Sequence, residues 1–449
     1  MTDRTSRESD TGFPPAPYAW YVVVIIFIAY TFAFIDRIIV AMLTPAIQAE
    51  FGISDSQTGL LQGLAFALFY TLFGLPLGLL TDRWNRKRLL AIGMTVWSVA
   101  TALCGTARSF SLLFLARMAV GMGEGALNPC ATSLIGDYFP PRTRSRAFGV
   151  YVMGTACGTG ITYLLGGLLL GWLTKNGGLD LPIFGHLKPW QAMFVVVGVP
   201  GLIPALLFLL TVREPARREV ATRTARASGA DIRAFVAANK LTLFCHHFGI
   251  ALILMSIYAY INWMPTYFLR IHGWEPPRFS TTYGLYSIAA GIFSALASGW
   301  FATWLKDRGY TDGTMRACMI GSAGCVIGCT VSPLMPTPEA ALVGYILTGC
   351  FVNAPSVLGL SAVAEMVPNE MRGIITASYI VMIGLLSAGV GPFAVGFVTD
   401  FVFADKAAVG SSLLVTSLIT GVPGVVLLAI GLKAYRETLA RAGWAATGT

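Results

Sequence analysis

Charged residues are scarce in this chain of 449 residues. Asp, Glu, Lys and Arg together make up 12% of it, whereas soluble globular proteins carry about a quarter. Hydrophobic residues reach 55%, and alternating segments of about ten residues, which are typical of membrane β-barrels, are missing. The composition therefore excludes an ordinary soluble domain and predicts an all-α membrane protein.

The polar connections between the apolar segments contain no cysteine. All eight cysteines lie inside apolar segments, so we expect no disulfide, and Cys325 and Cys329 have no partner pair for a metal site. There is no Walker loop. Gly121, Gly123 and Ala126 imitate a dinucleotide fingerprint, but they lie within an apolar run that no strand precedes. We therefore predict no enzyme, no metal and no cofactor.

Twelve apolar runs are long enough to cross a bilayer. A hydrocarbon core about 30 Å thick needs about 20 apolar residues per helix, and the sequence supplies this length twelve times. The predicted helices cover residues 18–43, 57–80, 89–107, 111–135, 147–173, 190–212, 241–268, 282–305, 315–334, 340–364, 373–402 and 411–433.

The net charge of +9 gathers in alternate connections. Basic residues follow the second, fourth and sixth runs, whereas a nucleic-acid-binding face would need them together on one surface. By the positive-inside rule these connections are cytoplasmic, which places both termini in the cytoplasm. We expect a multi-pass protein of the plasma (inner) membrane, whose first run is too long for a signal peptide.

A short internal repeat divides the chain into two halves. Asp137, Pro140 and Arg144 follow the fourth run with the spacing that Glu365, Pro368 and Arg372 show after the tenth. The predicted organisation is an N-terminal tail (1–17), a six-helix half (18–212), a cytoplasmic linker that includes a short amphipathic helix (213–240), a second six-helix half (241–434) and a C-terminal tail (435–449).

The combination of these features resembles the major facilitator superfamily. The segment 78–88, GLLTDRWNRKR, is similar to the family's loop between helices two and three, with Asn85 where a Gly is usual. The segment 117–125, RMAVGMGEG, resembles its signature in helix four. Two six-helix repeats and alternating access are what this resemblance implies. Asp36-Arg37, together with Arg117 and Glu124, most resembles the spinster-like transporters, which are associated with lysosphingolipids and lysophospholipids.

Four charged residues lie well away from the ends of the predicted membrane helices: Asp36, Arg37, Arg117 and Glu124. Such charges cost about 2.5–3.5 kcal/mol each on insertion scales, so they usually serve a function. Helical rise places Asp36 and Glu124 at similar depth. Nearby guanidinium groups favour ionised carboxylates and burial disfavours them, which suits Asp36 and Glu124 to proton coupling. The alternatives are two static ion pairs, or arginines that hold an anionic substrate group.

Further residues are candidates for a cytoplasmic gate and for a substrate pocket. The resemblance implies that Asp82 docks near the start of helix eleven; the alternative is a loop anchor. The gate candidates are Asp82, Arg83, Arg86, Asp137, Arg144, Glu365 and Arg372. The pocket candidates are Gln62, Tyr70, Asn128, Tyr151, Tyr258, Asn262, Trp263, Asn353 and Tyr379. Individually, each pocket candidate is also explained by a bond or packing contact between helices.

The sequence predicts a proton-coupled secondary transporter of an amphiphilic, lysolipid-like molecule. The C-terminal half has no clear mid-membrane acid apart from Glu365, so its pocket wall should be largely apolar and suit a lipid chain, while the charged head meets the arginines of the N-terminal half. The first alternative is a carrier of small organic anions such as sugar acids. A second, from another class, is a non-transporting lipid sensor or passive scramblase, which would not need titrating acids. The expected partners are the lipid bilayer, an amphiphilic small molecule and protons, with no nucleic acid, and we expect a monomer.

Overall fold

The computed structural model describes residues 13–182, 184–217 and 228–441. In this part of the chain, twelve helices are long and apolar enough to cross a membrane, which confirms the predicted all-α architecture. Helices one to twelve are Ala16–Phe51, Asp55–Thr81, Arg86–Cys104, Phe110–Tyr138, Arg142–Lys175, Pro189–Thr211, Lys240–His272, Pro276–Asp307, Gly313–Leu334, Pro338–Met366, Asn369–Phe403 and Lys406–Arg441.

Local capping residues set several of these boundaries. Ser54 begins helix two with a capping box, in which its hydroxyl accepts from the backbone N–H of Gln57. Asn85 and Ser109 cap helices three and four through their side chains. Gly273 ends helix seven in the left-handed conformation, with φ of 66°. The chain therefore encodes its helix ends in short polar residues between apolar runs.

Two short elements lie outside the membrane helices. The linker contains a helix, Gly229–Ala238, which Ser228 caps; its position on the membrane surface remains a prediction. Strands Leu179–Leu181 and Gly185–Leu187 form an antiparallel hairpin between helices five and six. We did not predict this hairpin, because three-residue strands leave almost no alternating pattern in the sequence.

Several membrane helices are interrupted. Helix two breaks at Gly63, and helix four breaks at Gly125–Ala126, directly after Glu124. Helices five, ten and eleven contain π-helical segments, at Thr162–Gly166, Ala354–Leu358, and Ile383–Val390 with Val398–Phe403. Interruptions of this kind occur frequently at functional sites.

Residue contacts divide the described chain into two compact units. Unit one contains residues 13–39 and 68–217, and unit two contains residues 40–67 and 228–441. Residues 40–67 are the end of helix one and the first part of helix two, on the side opposite the linker, which we call the outer side. The outer ends of these two helices thus pack with the C-terminal helices. The sequence repeat alone does not predict this packing.

Candidate functional site

The four charged residues predicted inside the membrane all lie in unit one. Asp36, Arg117 and Glu124 are almost fully buried, whereas the Arg37 side chain remains 21% exposed. Helix one supplies Asp36 and Arg37 from adjacent positions. Helix four supplies Arg117 and Glu124 seven residues apart, which places them two turns apart on one face. The structure therefore brings together residues that are about 80 positions apart in sequence.

Arg37 and Glu124 form a close ion pair. Nε and Nη2 of Arg37 lie 2.7 and 2.5 Å from Oε2 of Glu124. The other carboxylate oxygen, Oε1, is buried and accepts no hydrogen bond from any residue in the described ranges. The ring of Phe34 and the ring of Tyr70 each lie about 5 Å from the guanidinium carbon of Arg37. Arg37 is thus held by one acid and two aromatic rings.

Asp36 has a different environment from Glu124. Its Oδ2 accepts a hydrogen bond from the hydroxyl of Thr101 at 3.0 Å. Arg117 donates from Nη1 to the backbone oxygen of Asp36, also at 3.0 Å. Oδ1 of Asp36 is buried without a hydrogen-bond donor among the described residues. Buried carboxylate oxygens without a donor are costly, so the Asp36 carboxylate lies in a setting that disfavours its charge.

Three of the predicted pocket residues meet beside this pair. The Asn128 amide nitrogen donates to the hydroxyl of Tyr70 at 2.7 Å, and the hydroxyl of Tyr151 donates to the Asn128 amide oxygen. The Tyr151 ring stacks on Tyr30 with centroids 4.5 Å apart. These contacts join helices one, two, four and five around Arg37.

The remaining pocket candidates lie in unit two, where several of them make structural hydrogen bonds. Gln62 donates to Thr44 and to the backbone oxygen of Asn262. Trp263 is fully buried and donates to the backbone oxygen of Pro392 at 2.8 Å.

The other candidates in unit two also contact neighbouring residues. The amide nitrogens of Asn262 and Asn353 donate to the backbone oxygens of Tyr258 and Gly291, respectively. Tyr379 is buried, with its ring against His246 and His247. A role in substrate binding remains a prediction for these six residues.

The predicted gate residues at the helix ends on the linker side form two equivalent clusters. In unit one, Arg86 pairs with Asp137 and with Glu214, and Arg144 donates to the backbone oxygen of Gly136.

In unit two, Glu365 pairs with Lys306 at 2.6 Å and accepts hydrogen bonds from Thr314 and Tyr435. Arg372 donates to the backbone oxygen of Val367. Asp137 and Glu365 each occupy the last-but-one position of their helix, as the sequence repeat predicts.

The side chains of Asp82 and Arg83 are exposed. The backbone oxygen of Asp82 accepts a hydrogen bond from Arg217. Docking of Asp82 near the start of helix eleven remains a prediction, because Asp82 and helix eleven lie in different units.

Two charged clusters escaped the sequence analysis. On the outer side of unit two, Arg270 donates to both carboxylate oxygens of Asp55, at 2.6 and 2.7 Å, and to Gln48 at 3.0 Å. At the start of helix nine, Asp312 pairs with Arg316 and Arg436. The i, i+4 spacing of Asp312 and Arg316 is a signal in the sequence. No local signal links Asp55 to Arg270, which lies 215 positions away.

Known proteins resemble this chain over most of its length. The hexuronate transporter of Bacillus subtilis is 23% identical over 422 residues, which cover 90% of this chain and 95% of that protein. Protein spinster homolog 1 of Homo sapiens is 30% identical over 288 residues, covering 62% of this chain but about half (51%) of that protein.

Among solved structures, a bacterial homolog of the human lysosomal transporter spinster, crystallised in an inward-facing, unoccupied conformation, is 25% identical. It matches with a TM-score of 0.75 over 95% of this chain and 98% of that one. The family profile of the Major Facilitator Superfamily covers residues 26–392. This multi-pass membrane protein, whose described residues include twelve helices long enough to cross a membrane, therefore belongs to the Major Facilitator Superfamily and is similar to its spinster members.

Proposed function

We propose that this protein is a proton-coupled secondary transporter that moves an organic anion or zwitterion by alternating access, with a lysolipid- or sphingolipid-like amphiphile as its first candidate substrate. The observation that carries the proposal is the buried pair of Arg37 and Glu124 beside Asp36. A membrane protein rarely buries two acids without a function for them.

The contact between Glu124 and Arg37 supports a link between proton binding and anion binding. One carboxylate oxygen of Glu124 pairs with both Nε and Nη2 of Arg37. A proton on Glu124 removes its negative charge, so Arg37 becomes available to a substrate phosphate or carboxylate, which it can bind in bidentate geometry. Linkage is reciprocal, so the bound anion also favours the proton. Membrane potential supplies about 2.3 kcal/mol per charge at 100 mV, and one pH unit about 1.4 kcal/mol.

The outer cluster supports alternating access as the transport mode. Asp55, Gln48 and Arg270 connect the outer ends of helices one, two and seven, and Gly59 and Gly63 let helix two approach the backbone of helix eleven. A substrate cannot pass between helices in such close contact. We therefore infer that these contacts separate when the site opens to the outer side, and that Glu124 and Asp36 control when this occurs.

An amphiphile fits the uneven distribution of polarity. Helices seven to twelve contain no charged residue in their central parts, and the amides of Asn262 and Asn353 are already bonded to backbone oxygens. An apolar chain needs such a surface, while its charged head would bind Arg37. The similarity to spinster proteins, which extends over 95% of the chain in one solved structure, supports this assignment.

A sugar acid or a similar small carboxylate is the second candidate. The similarity to a hexuronate transporter covers 95% of that protein, whereas the similarity to human spinster homolog 1 covers 51% of it. A carboxylate would use the same guanidinium. The two candidates therefore share the Arg37 contact and differ in what occupies the apolar side.

Uptake into proteoliposomes tests the proposal. A panel of lysophospholipids and sphingosine phosphates is compared with a panel of hexuronates, with and without a pH gradient. We expect uptake of one panel to depend on the gradient, and Glu124→Gln to abolish that dependence while substrate still equilibrates. Glu339→Gln, at an exposed carboxylate at the start of helix ten, is the matched control. Gradient-independent movement in the wild type would favour a passive scramblase instead.

A further inference from the structure

We propose that Tyr70, Asn128 and Tyr151 form a positioning relay that fixes the guanidinium of Arg37 independently of Glu124, so that Arg37 stays in place when Glu124 releases it. The inference rests on the proposed function in assigning Arg37 to the anion. It adds Tyr70, Asn128 and Tyr151 to the site as positioning residues. The aromatic contacts would hold Arg37 in place, while Glu124 would control whether Arg37 is free to bind the anion.

The relay begins at the guanidinium carbon of Arg37, which lies over two aromatic rings. Phe34, one helical turn before Arg37, and Tyr70 of helix two both lie about 5 Å from the guanidinium carbon. Cation–π contacts of this kind hold a guanidinium by its plane and leave its edge free to donate hydrogen bonds. Glu124 contacts that edge, through Nε and Nη2. The rings and the acid therefore hold different parts of the same side chain.

Tyr70 is itself anchored through its hydroxyl. Asn128 donates to it at 2.7 Å from helix four, and Tyr151 of helix five donates to the amide oxygen of Asn128. Tyr151 is buried and stacks on Tyr30, one helical turn before Phe34. The chain of contacts therefore starts and ends on helix one, and it fixes the Tyr70 ring from both sides of the site.

Helix four holds Arg37 at two points that a helix break separates. Glu124 contacts Arg37 directly, and Asn128 acts through Tyr70. The break at Gly125–Ala126 lies between them, so Glu124 can move without moving Asn128. Gly125 packs closely on helix two, where an added Cβ would lie 3.1 Å from the backbone nitrogen of Gly74. This close contact fixes helix four against helix two and so keeps Asn128 within hydrogen-bond distance of Tyr70.

Two variants separate the relay from the pair. Tyr70→Phe keeps the ring but loses the hydroxyl, and Asn128→Ala removes both of the relay's hydrogen bonds. We expect each to raise the KM for uptake of the panel that the wild type transports about five- to twenty-fold, with the maximal rate within about two-fold, because the anion meets a less well placed guanidinium. The double variant should resemble the single ones, since both break one chain of contacts. Tyr138→Phe, which removes another buried tyrosine hydroxyl bonded to a backbone oxygen, is the control and should leave KM unchanged.

A measurement without substrate distinguishes failure of the relay from failure of the transport proposal. In detergent, the double variant Tyr70→Phe with Glu124→Gln should lose more Tm than the sum of the two single losses, because each contact holds Arg37 when the other is removed. The Tm losses of Tyr138→Phe and Glu124→Gln should simply add. A Tm loss larger than the sum supports the relay even if no panel is transported. A Tm loss equal to or smaller than the sum, or unchanged KM in both relay variants of an active transporter, would overturn it.

Discussion

Asp36 and Glu124 are both buried acids, yet their surroundings assign them different tasks. One carboxylate oxygen of Glu124 forms an ion pair with Arg37, whereas the Asp36 carboxylate accepts a hydrogen bond from the hydroxyl of Thr101. We therefore propose that protonation of Glu124 controls Arg37 and that Asp36 is a second proton site. This difference follows from which side chain each carboxylate faces, since the two acids are otherwise alike.

Replacing Asp36 with Asn should abolish proton-driven uptake and leave the fold intact, because Asn keeps the shape and the bond to Thr101 but cannot ionise. Uptake driven by a pH gradient should fall at least about tenfold, which corresponds to about 1.4 kcal/mol. Proteoliposome uptake and the Tm in detergent measure the two effects. Unchanged gradient dependence in Asp36→Asn would make Asp36 a structural residue.

Asp312 should stabilise the protein in a pH-dependent way. Burial raises the pKa of Asp312, but hydrogen bonds and charge from Arg316 and Arg436 outweigh it and hold the pKa below its ordinary value. Its stabilisation is fully present above the unfolded-state pKa, about 3.9, and is lost as pH falls through the lower folded-state pKa. Asp312→Asn should cost about 1.5–3 kcal/mol at pH 7.

The Tm difference between wild type and Asp312→Asn should therefore shrink when thermal unfolding is repeated below pH 4. Asp180→Asn, at an exposed carboxylate of the hairpin, is the control and should change Tm little at either pH. A Tm difference for Asp312→Asn that is the same at both pH values would contradict the assignment.

At the scale of elements, the outer ends of helices one and two depend on ionic and backbone contacts with helices seven and eleven. Asp55 is fully buried against Arg270, and Asp400 accepts from the backbone N–H groups of Asp55 and Ser56 at the start of helix two. A carboxylate at a helix N-terminus is favourable. At Gly63 an added Cβ would lie 2.3 Å from the backbone oxygen of Gly389, so only glycine allows this approach.

Asp55→Asn should weaken these outer contacts, because the uncharged amide no longer compensates the charge of Arg270. A loss of about 1–2 kcal/mol would raise the outward-open population roughly five- to thirty-fold. Distances between spin labels on the outer ends of helices one and seven would report it. Asp180→Asn serves as the control, and equal distance distributions in wild type and Asp55→Asn would show that the cluster is no gate.

For the molecule as a whole, the family resemblance implies a gate in which Asp82 meets the start of helix eleven and Arg372 closes the symmetric contact, both only when the cytoplasmic side is shut. We expect Asp82→Asn to raise the inward-open population without changing the substrate's affinity for that state, since a gate contact biases the equilibrium and not the pocket. The backbone oxygen of Asp82, which accepts from Arg217, is unaffected by the substitution. Only the carboxylate charge is therefore tested.

Accessibility of engineered cysteines in the cytoplasmic vestibule measures this population, after the eight native cysteines are replaced. Arg83→Gln separates the effect of Asp82 from a general loss of charge in the loop. If accessibility in Asp82→Asn matches that of the wild type at every pH, the loop is an anchor and the gate role of Asp82 is wrong.

Local patterns in the chain predict the twelve helices, their order and the position of the charged residues within them. Apolar length and the cost of a charge in a bilayer are local quantities, and they can be read from short segments. The equivalence of Asp137 and Glu365 could also be predicted, because a repeat preserves spacing. The hairpin and the helix breaks left no comparable local pattern.

Which charges meet depends on how the helices pack. Arg37 pairs with Glu124, and Arg117 donates to the backbone of Asp36; Asp55 meets Arg270 across 215 positions. A side chain's partner depends on how helices rotate and how closely their backbones approach, and these are set by packing summed over many contacts. Composition and spacing place a charge at a depth in the membrane, but the neighbouring helices select its partner.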